Sequence, residues 1–371
     1  MIYVVVFLTI IAYLVNELIK NYAFKNLTYN RELSQSLVEI DEEFDISTII
    51  ENNKFLPITF FQIVEGFPEN IKYRNMKKDK EDISRNSHTI TMTVLPYQRI
   101  KRKYKSYCDK RGKYLLTDVT LISGDLLGLK TISQSIHYTQ EVVVMPSSLS
   151  LEENLVAYGD YNGEISVRRW IIDDPLLIVG IKQYTGVEPQ KSIHWPSTLR
   201  TGTMMVKQFD YTTNNKVNIL LNLECSKPFW KKIDTKAIEK AISYTRGVIE
   251  EFEDNNITYG FWTNGEAASL HGGYSMGASG LGSKHFFGIM QVLGEIGYGL
   301  RCEFEEVLMD IANSNMQYES NVIIMPKILN SYVEYINILS KNSSKVIVIT
   351  QYEDNLNMLN SNVIAFIERR E

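Results

Sequence analysis

Apolar residues dominate the start of the chain, and the rhythm changes twice after that. "IYVVVFLTIIAYLV" is fourteen uncharged, almost wholly apolar positions, and Leu18 and Ile19 carry it past Asn16 and Glu17 to about one bilayer-spanning length. No basic region precedes it and no small-x-small cleavage site follows. It therefore reads as a retained transmembrane anchor over residues 1–20 rather than a removed signal peptide or a buried soluble helix. Lys20, Lys25 and Arg31 follow the segment and only the amino terminus precedes it. That asymmetry predicts a single-pass protein of the cell membrane with the bulk of the chain in the cytoplasm.

Over residues 21–150 apolar and polar positions alternate in short runs, "FDISTII", "LPITFFQIVE", "TITMTVLPY", "KYLLTDVTLI" and "EVVVMP", with turn residues between them. A period of two without a 3.6-residue stripe predicts an antiparallel β-sandwich. After residue 210 the texture changes. "KVNILLNL" is apolar without alternation, as in a strand covered on both faces. "DTKAIEKAISYTRGVIEEF" starts at a capping Asp234 and sets Ala237, Ile238, Ala241, Ile242, Tyr244, Val248 and Phe252 three to four apart, an amphipathic helix. "ITYGFWT", "NVIIM", "KVIVIT" and "VIAFIE" read as further strands, with helices in "FFGIMQVLGEI" and "ILNSYVEYINIL". Strands alternating with helices predict an α/β domain over 211–371 with a mostly parallel sheet, whose functional loops lie at the carboxyl ends of its strands. The expected class is α+β multidomain: an N-terminal membrane helix, an antiparallel β-sandwich, a connecting segment over 151–210 and the α/β domain.

The 371 residues, 44% of them hydrophobic, suffice for two buried cores, and a net charge of −5 gives no electrostatic footprint for nucleic acid. Residues 99–113 concentrate eight Lys and Arg around Tyr104 and Tyr107. They read first as a solvated strand face or hairpin, ahead of contact with anionic lipid or nucleic acid. Cys108, Cys225 and Cys302 are odd in number and form no CxxC, against a disulfide framework or a zinc site.

Residues 273–277 spell G-x-S-x-G around Ser275. A hydrolase needs that serine on a tight strand-to-helix turn, yet the preceding strand ends near Thr263, and the downstream His285 is only ten residues on. A serine hydrolase using Ser275 is thus an alternative and not the leading reading. Gly277, Gly280, Gly282 and Lys284 approach a phosphate loop, but Ser283 breaks its register. His271 and His285 stand fourteen apart without ligand spacing. At the end of the first α/β strand a hard cation would want D-x-S-x-S, one carboxylate and two hydroxyls. The chain has Asn222, Glu224 and Ser226 there, a degenerate metal site, so no cofactor is expected. Metal-dependent adhesion-type binding is the second alternative.

Residues 184–207 keep Tyr184, Lys191, Ile193, His194, Trp195, Ser197, Arg200, Gly202, Val206 and Lys207 near the spacing Y-x-P-G-D-D-x-R-x-I-H-W-x-x-S-A-R-x-G-x-L-x-V-K. Gly186, Val187, Glu188 and Pro189 depart from it. Upstream, "RGKYLLTDVTLISGDLLGL" is similar to R-G-x-Y and D-P-x-G-L elements, with Leu126 in place of the proline. On these residues the chain resembles the bacterial family called domain of unknown function fifty-eight. The resemblance implies a β-sandwich followed by a von Willebrand factor type A-like (Rossmann-like) α/β domain tethered to the membrane, usually by two helices where this chain shows one. It implies a protein partner, a MoxR-type AAA+ ATPase, in assembly or maturation of other proteins, and no enzymatic activity. The expectation is a membrane-anchored, non-enzymatic protein-interaction module. Tyr184 and Trp195 serve it as packing bodies and His194, Arg200 and Lys207 as hydrogen-bonding groups of a structural clamp. A general acid or base role for His194 is the lesser reading, because no nucleophile or carboxylate pair stands beside it. The expected contact surface comprises the loops carrying Glu224, Ser226, Ser279, Ser283 and Lys284.

Overall fold

A computed structural model of the chain describes residues 3, 7, 22–73, 87–124, 131–149, 155–157, 178–184, 192–209, 216–272, 277–313, 320–343 and 345–368. The chain divides into two units, residues 1–147 with 293–295 and residues 148–292 with 296–371.

The first unit is built from β1 (Leu27–Leu33), β2 (Leu37–Val38), β3 (Phe44–Asn52), β4 (Ile58–Gly66), β5 (Ile71–Tyr73), β6 (Ser87–Val94), β7 (Arg99–Cys108), β8 (Gly112–Leu116), β9 (Val119–Gly124), β10 (Thr131–Ile136) and β11 (Gln140–Val144). The strands form three sheets, ordered β1-β3-β7-β5, β10-β9-β4-β6 and β2-β11-β8. Alternation decides which way they face: β6 buries His88, Ile90, Met92 and Val94 while Thr91 and Thr93 meet solvent. Strand β3 serves two cores. Phe44 and Ile46 pack with Cys108, Leu116 and Val144, whereas Ile50 packs with Ile63, Met92 and Leu121.

Four of the five basic residues of β7 are spent across the sheet, Arg99 on Glu51, Lys101 on Glu32, Lys103 on Asp45 and Lys105 on Glu43, at 2.7–3.1 Å. These exposed pairs contribute at most about 1 kcal/mol each, so this part of the basic run is a solvated strand face.

Two buried charges lie inside the same unit. Glu65 accepts hydrogen bonds from the Tyr29 hydroxyl (2.5 Å), Thr48 Oγ1 (2.9 Å) and the Tyr104 hydroxyl (2.6 Å), and stands 3.2 Å from His88 Nδ1. Burial alone would raise its pKa, but the bonds from His88, Tyr104, Tyr29 and Thr48 outweigh burial and hold the carboxyl below the usual range. Arg31, 1% exposed, donates to the Leu116 and Tyr138 carbonyls and to Gln140 Oε1, and lies over the Phe67 and Tyr138 rings.

The second unit carries β12 (Leu155–Ala157), a hairpin of β13 (Ile178–Gln183) and β14 (Met205–Phe209) enclosing α1 (Trp195–Thr201), and then an alternating series. The series runs β15 (Val217–Leu221), α2 (Thr235–Asp254), β16 (Tyr259–Thr263), α3 (Ser283–Glu295), α4 (Phe304–Asn313), β17 (Ser320–Met325), α5 (Asn330–Asn342), β18 (Lys345–Thr350) and β19 (Val363–Glu368). The six-stranded sheet is ordered β12-β19-β18-β17-β15-β16, with β12 antiparallel to β19 and the other pairings parallel. Strand β15 is buried at every position, including Asn218, whose side-chain amide donates to Asn321 Oδ1 at 3.1 Å. Helix α2 begins at Asp234, whose carboxylate accepts from the Ala237 amide, and buries Ala237, Ile238, Ala241, Ile242, Tyr244, Val248, Ile249 and Phe252. Counted in chain order, the five parallel strands stand 2-1-3-4-5. The connections from β15 and into β17 diverge, so the crevice beyond the carboxyl end of β15 is a topological switch point.

Several expectations are corrected. No helix among the described residues is long and apolar enough to cross a membrane. The transmembrane anchor over 1–20, the single-pass placement in the cell membrane with a cytoplasmic bulk, and the N-terminal membrane helix of the fold class are therefore not supported. Of residues 1–20 only Tyr3 and Phe7 are described. The physical reason is the interruption at Asn16 and Glu17: the apolar run before them is fourteen residues, and reaching the roughly 20 residues of a span by way of Leu18 and Ile19 puts a carboxylate into the hydrocarbon. The expected antiparallel β-sandwich is instead a three-sheet unit in which β2 joins β11 in parallel. Strand pairing there depends on which segments meet, which alternation does not encode. The chain as described is mostly β, with nineteen strands and five helices longer than one turn. Its parallel strands follow the flavodoxin-like order rather than the Rossmann order 3-2-1-4-5-6, a departure from the expected von Willebrand factor type A-like (Rossmann-like) label.

Candidate functional site

The chain leaves β15 at the switch point and turns at once. Asn222, fully buried, accepts the Glu224 amide on Oδ1 at 2.8 Å and the Asn264 side-chain amide at 2.9 Å, while Asn264 Oδ1 accepts the Leu223 amide at 3.0 Å. Two asparagines thus tie the end of β15 to the end of β16 through backbone-like bonds. Asn222 presents no free oxygen to a ligand.

Glu224 is 3% exposed. Its Oε2 accepts from the Tyr332 hydroxyl at 2.5 Å, and its Oε1 lies 3.1 Å from the Lys227 ammonium. Lys227 also reaches Glu305 at 2.8 Å and, more loosely, the exposed Glu303 at 3.4 Å. Burial opposes the charge on Lys227, yet its bonds to Glu305 and Glu224 push its pKa up to about 12. Glu305 is held below the usual carboxylate range because the Lys227 ammonium outweighs the effect of burial. The Tyr332 hydroxyl is driven upward by burial and by Glu224, so it stays a hydrogen-bond donor. A buried carboxylate is costly unless a positive charge faces it, and here that charge is a lysine of the same turn.

The third candidate ligand points elsewhere. Ser226 Oγ lies 3.0, 3.3 and 3.2 Å from the carbonyls of Pro228, Phe229 and Lys232 and accepts the Lys232 amide at 3.1 Å. It ties the following loop together. Asn222, Glu224 and Ser226 therefore do not converge on one point, and no group of three or more His, Cys, Asp or Glu among the described residues is placed to hold a metal ion. The donors present do not fit a hard divalent cation.

Ser279, Ser283 and Lys284 are not brought to this rim. Gly277 donates to the Phe261 carbonyl and Gly280 bridges Tyr259, so residues 277–280 run back along the edge of β16 toward its amino end. Val217 pairs with Tyr259 and Leu221 with Thr263, which sets the two groups of candidate residues at opposite ends of the strands, about 13 Å apart along β16. Gly277 has φ +75°, and a Cβ there would lie 2.1 Å from the Trp262 ring, so both conformation and packing require glycine. The Gly282 amide donates to both carboxylate oxygens of Glu253 at 3.0 Å. The start of α3 thus already faces an anion, which removes the phosphate-loop reading. His285 Nε2 faces the Tyr259 carbonyl at 3.0 Å and is engaged there as a donor. Ser275 lies outside the described residues.

The segment 184–207 forms the β13–α1–β14 hairpin. Tyr184 donates its amide to Met204, His194 donates its own to Met205, and Ile193 bridges Val206. His194 is the N-cap of α1: its Nδ1 accepts the Ser197 amide at 3.2 Å and faces Ser197 Oγ at 2.9 Å. Gly202, at φ 71°, closes the helix in the left-handed conformation, where glycine carries no steric cost. Arg200 sits in the last helical turn, while Lys207 pairs in β14 opposite Ile181. Trp195 is 61% exposed. The histidine clamps a local turn, and the tryptophan is not a buried packing body.

Sequence reasoning found Asn222, Glu224 and Ser226 by their place at a strand end but missed Lys227, Glu305 and Tyr332. Lys227 follows Ser226 directly, so a basic residue next to a degenerate acidic motif was the available signal. Glu305 and Tyr332 come from α4 and α5 and gave none.

No family model matches the chain, and no curated protein matches it. Among solved structures, native α2-macroglobulin from Escherichia coli, spanning domain MG7 to the C-terminus, is 13% identical with a TM-score of 0.26 over 36% of this chain and 18% of that one. A cohesin module from the Clostridium perfringens family 33 glycoside hydrolase is 13% identical with a TM-score of 0.23, covering 31% of this chain and 96% of the module. A non-cellulosomal cohesin from Archaeoglobus fulgidus is 10% identical with a TM-score of 0.22, covering 32% and 91%. Each likeness spans about a third of this chain.

Proposed function

We propose that this protein is a non-enzymatic protein-interaction module whose second unit docks a partner at the carboxyl rim of its parallel sheet without a metal ion. One observation carries the reading. The acidic position that would face a cation is occupied by the Lys227 ammonium, 3.1 Å from Glu224 and 2.8 Å from Glu305. A carboxylate already neutralised and held by Tyr332 is neither a general base nor a strong ligand for a hard ion. The rim is therefore a fixed, pre-organised surface, which suits recognition. The resemblance carried by Tyr184, His194, Trp195, Arg200 and Lys207 supports a MoxR-type AAA+ ATPase as the partner class.

The test is biolayer interferometry of the full chain against a nucleotide-loaded MoxR-type ATPase, with and without Mg²⁺ beyond that held by the nucleotide. Saturable binding indifferent to excess Mg²⁺ supports the proposal. Binding that appears only with excess Mg²⁺ refutes metal-free docking, and no binding removes this partner class. Turnover of an ester or nucleotide by the chain alone refutes the non-enzymatic reading.

A further inference from the structure

Beyond the lysine-filled rim the chain does something that packing does not require. Residues 227–233 leave the sheet as a short loop on which Trp230 is 71% exposed and Ile233 45% exposed, with Lys231 and Lys232 exposed between them. Single exposed aromatics such as Phe55 and Tyr97 occur elsewhere on this chain, but here Trp230 and Ile233 stand three residues apart on one loop and form a small apolar patch. Phe229 meets Trp230 edge-on, with ring centroids 5.4 Å apart, which steadies the indole.

The loop is held at both ends. At its entry, Lys227 is pinned by Glu224 and Glu305. At its exit, Asp234 accepts the Ala237 amide at 3.1 Å and the Tyr352 hydroxyl at 3.0 Å. Across its middle, Ser226 Oγ closes the ring by accepting the Lys232 amide and facing three loop carbonyls. A rigid aromatic on a pre-tied loop loses little entropy when covered, the property of an interface anchor.

Charge selects what covers it. Lys231 and Lys232 are exposed and lie in no ion pair among the described residues. The adjacent Asp234 keeps its negative charge, favoured by its bonds from Ala237 and Tyr352 and by the nearby Lys232, and so offsets part of the charge of the two lysines without cancelling it. The acids on the other side of the loop, Glu224, Glu303 and Glu305, are gathered around Lys227. The outer face of the loop is thus apolar and positive in a chain whose net charge is −5.

Resting on the docking reading above, we propose that the Ser226-tied loop 227–233 is its docking element, and that it takes an acidic segment of a partner protein in which carboxylates flank an apolar side chain. The apolar side chain covers Trp230 and Ile233, and the carboxylates meet Lys231 and Lys232.

The experiment selects random displayed peptides on the immobilised full chain, then measures the most enriched peptide by fluorescence anisotropy. It is titrated against wild type, Trp230→Ser and the double variant Lys231→Glu/Lys232→Glu. All three replaced side chains are exposed, and circular dichroism confirms that the variants fold. The expected result is enrichment of acidic peptides with an apolar anchor, whose binding weakens with added salt and falls at least about tenfold in each variant. No enrichment, enrichment of basic or uncharged peptides, variant affinities within about twofold of wild type, or tighter binding of oligothymidylate than of any peptide overturns the proposal. A MoxR-type ATPase that binds Trp230→Ser as well as wild type leaves the docking reading standing and removes this loop from it.

Discussion

Replacing Lys227 with methionine removes the charge but keeps most of the aliphatic stem, and it isolates the energetic role of the lysine at the rim. In the wild type the ammonium faces Glu224, whose side chain is 2% exposed, and Glu305, whose side chain is 13% exposed. Breaking a buried ion pair by deleting one partner costs about 3–5 kcal/mol, because the remaining charge is stranded. The Lys227 side chain is 31% exposed, so solvent screens part of the interaction, and the expected loss is about 2–3 kcal/mol. Tryptophan fluorescence during urea unfolding of the full chain reads this directly, since Trp170, Trp195, Trp230 and Trp262 all fall in the second unit. Adding Glu224→Gln on the Lys227→Met background should recover at least about 1 kcal/mol. The amide oxygen still accepts from Tyr332 while the more deeply buried of the two stranded charges is gone, Glu305 being the one that remains. If Lys227→Met costs less than about 0.5 kcal/mol, or if the second substitution only adds to the loss, the lysine is not the counter-charge of a buried carboxylate. The docking reading would then lose its basis.

Glu65 makes the first unit acid-sensitive. Its folded pKa is depressed, so its contribution to stability is fully present above the ordinary carboxylate value of about 4.3 and is lost as the pH falls through the lower folded value. Near-ultraviolet tyrosine dichroism of the first unit should hold steady above about pH 5 and decline below it, and Glu65→Gln should flatten that acid limb while lowering stability at neutral pH. An unchanged limb in the variant would assign acid sensitivity elsewhere. Arg31→Lys is expected to cost about 2–3 kcal/mol in chemical denaturation, because one ammonium cannot serve the Leu116 carbonyl, the Tyr138 carbonyl and Gln140 as the guanidinium does. A cost under about 1 kcal/mol would count against its structural role. Gly277→Ala should destabilise the second unit by at least about 2 kcal/mol, since the new Cβ would lie 2.1 Å from Trp262. Gly297→Ala, with nothing within 4 Å of the added atom, should change stability by less than about 1 kcal/mol, and equal effects at the two sites would refute the packing argument.

Local chemistry was readable wherever a short stretch of chain decides the outcome. The Asp234 cap, the apolar stripe of α2 and the two-sided burial of β15 all follow from residue spacing, and the structure shows each in place. The same kind of reasoning misled where a pattern borrows its meaning from distant residues. The stretch from Gly277 to Lys284 was expected to share one contact surface with Glu224 and Ser226. The structure instead commits Gly277 to Trp262, and it commits Gly282 to the carboxylate of Glu253 twenty-nine residues away. His194 and Trp195, adjacent in the motif, separate into a helix cap and an exposed indole because successive side chains at a helix start point in different directions.

The sequence by itself determined most strands and helices of the alternating series, though not α4, together with their apolar faces and the lack, in the turn after the first α/β strand, of the aspartate a divalent cation needs. Those properties depend on neighbours within a few residues. Only the tertiary structure decided that β15 lies between β16 and β17, that Lys227 from the same turn, Glu305 from α4 and Tyr332 from α5 meet around Glu224, and that Ser279 to Lys284 sit at the other end of the sheet. The physical reason is that hydrogen bonds and ion pairs act over a few ångströms, so what surrounds a buried carboxylate is set by the packing of segments far apart in the chain.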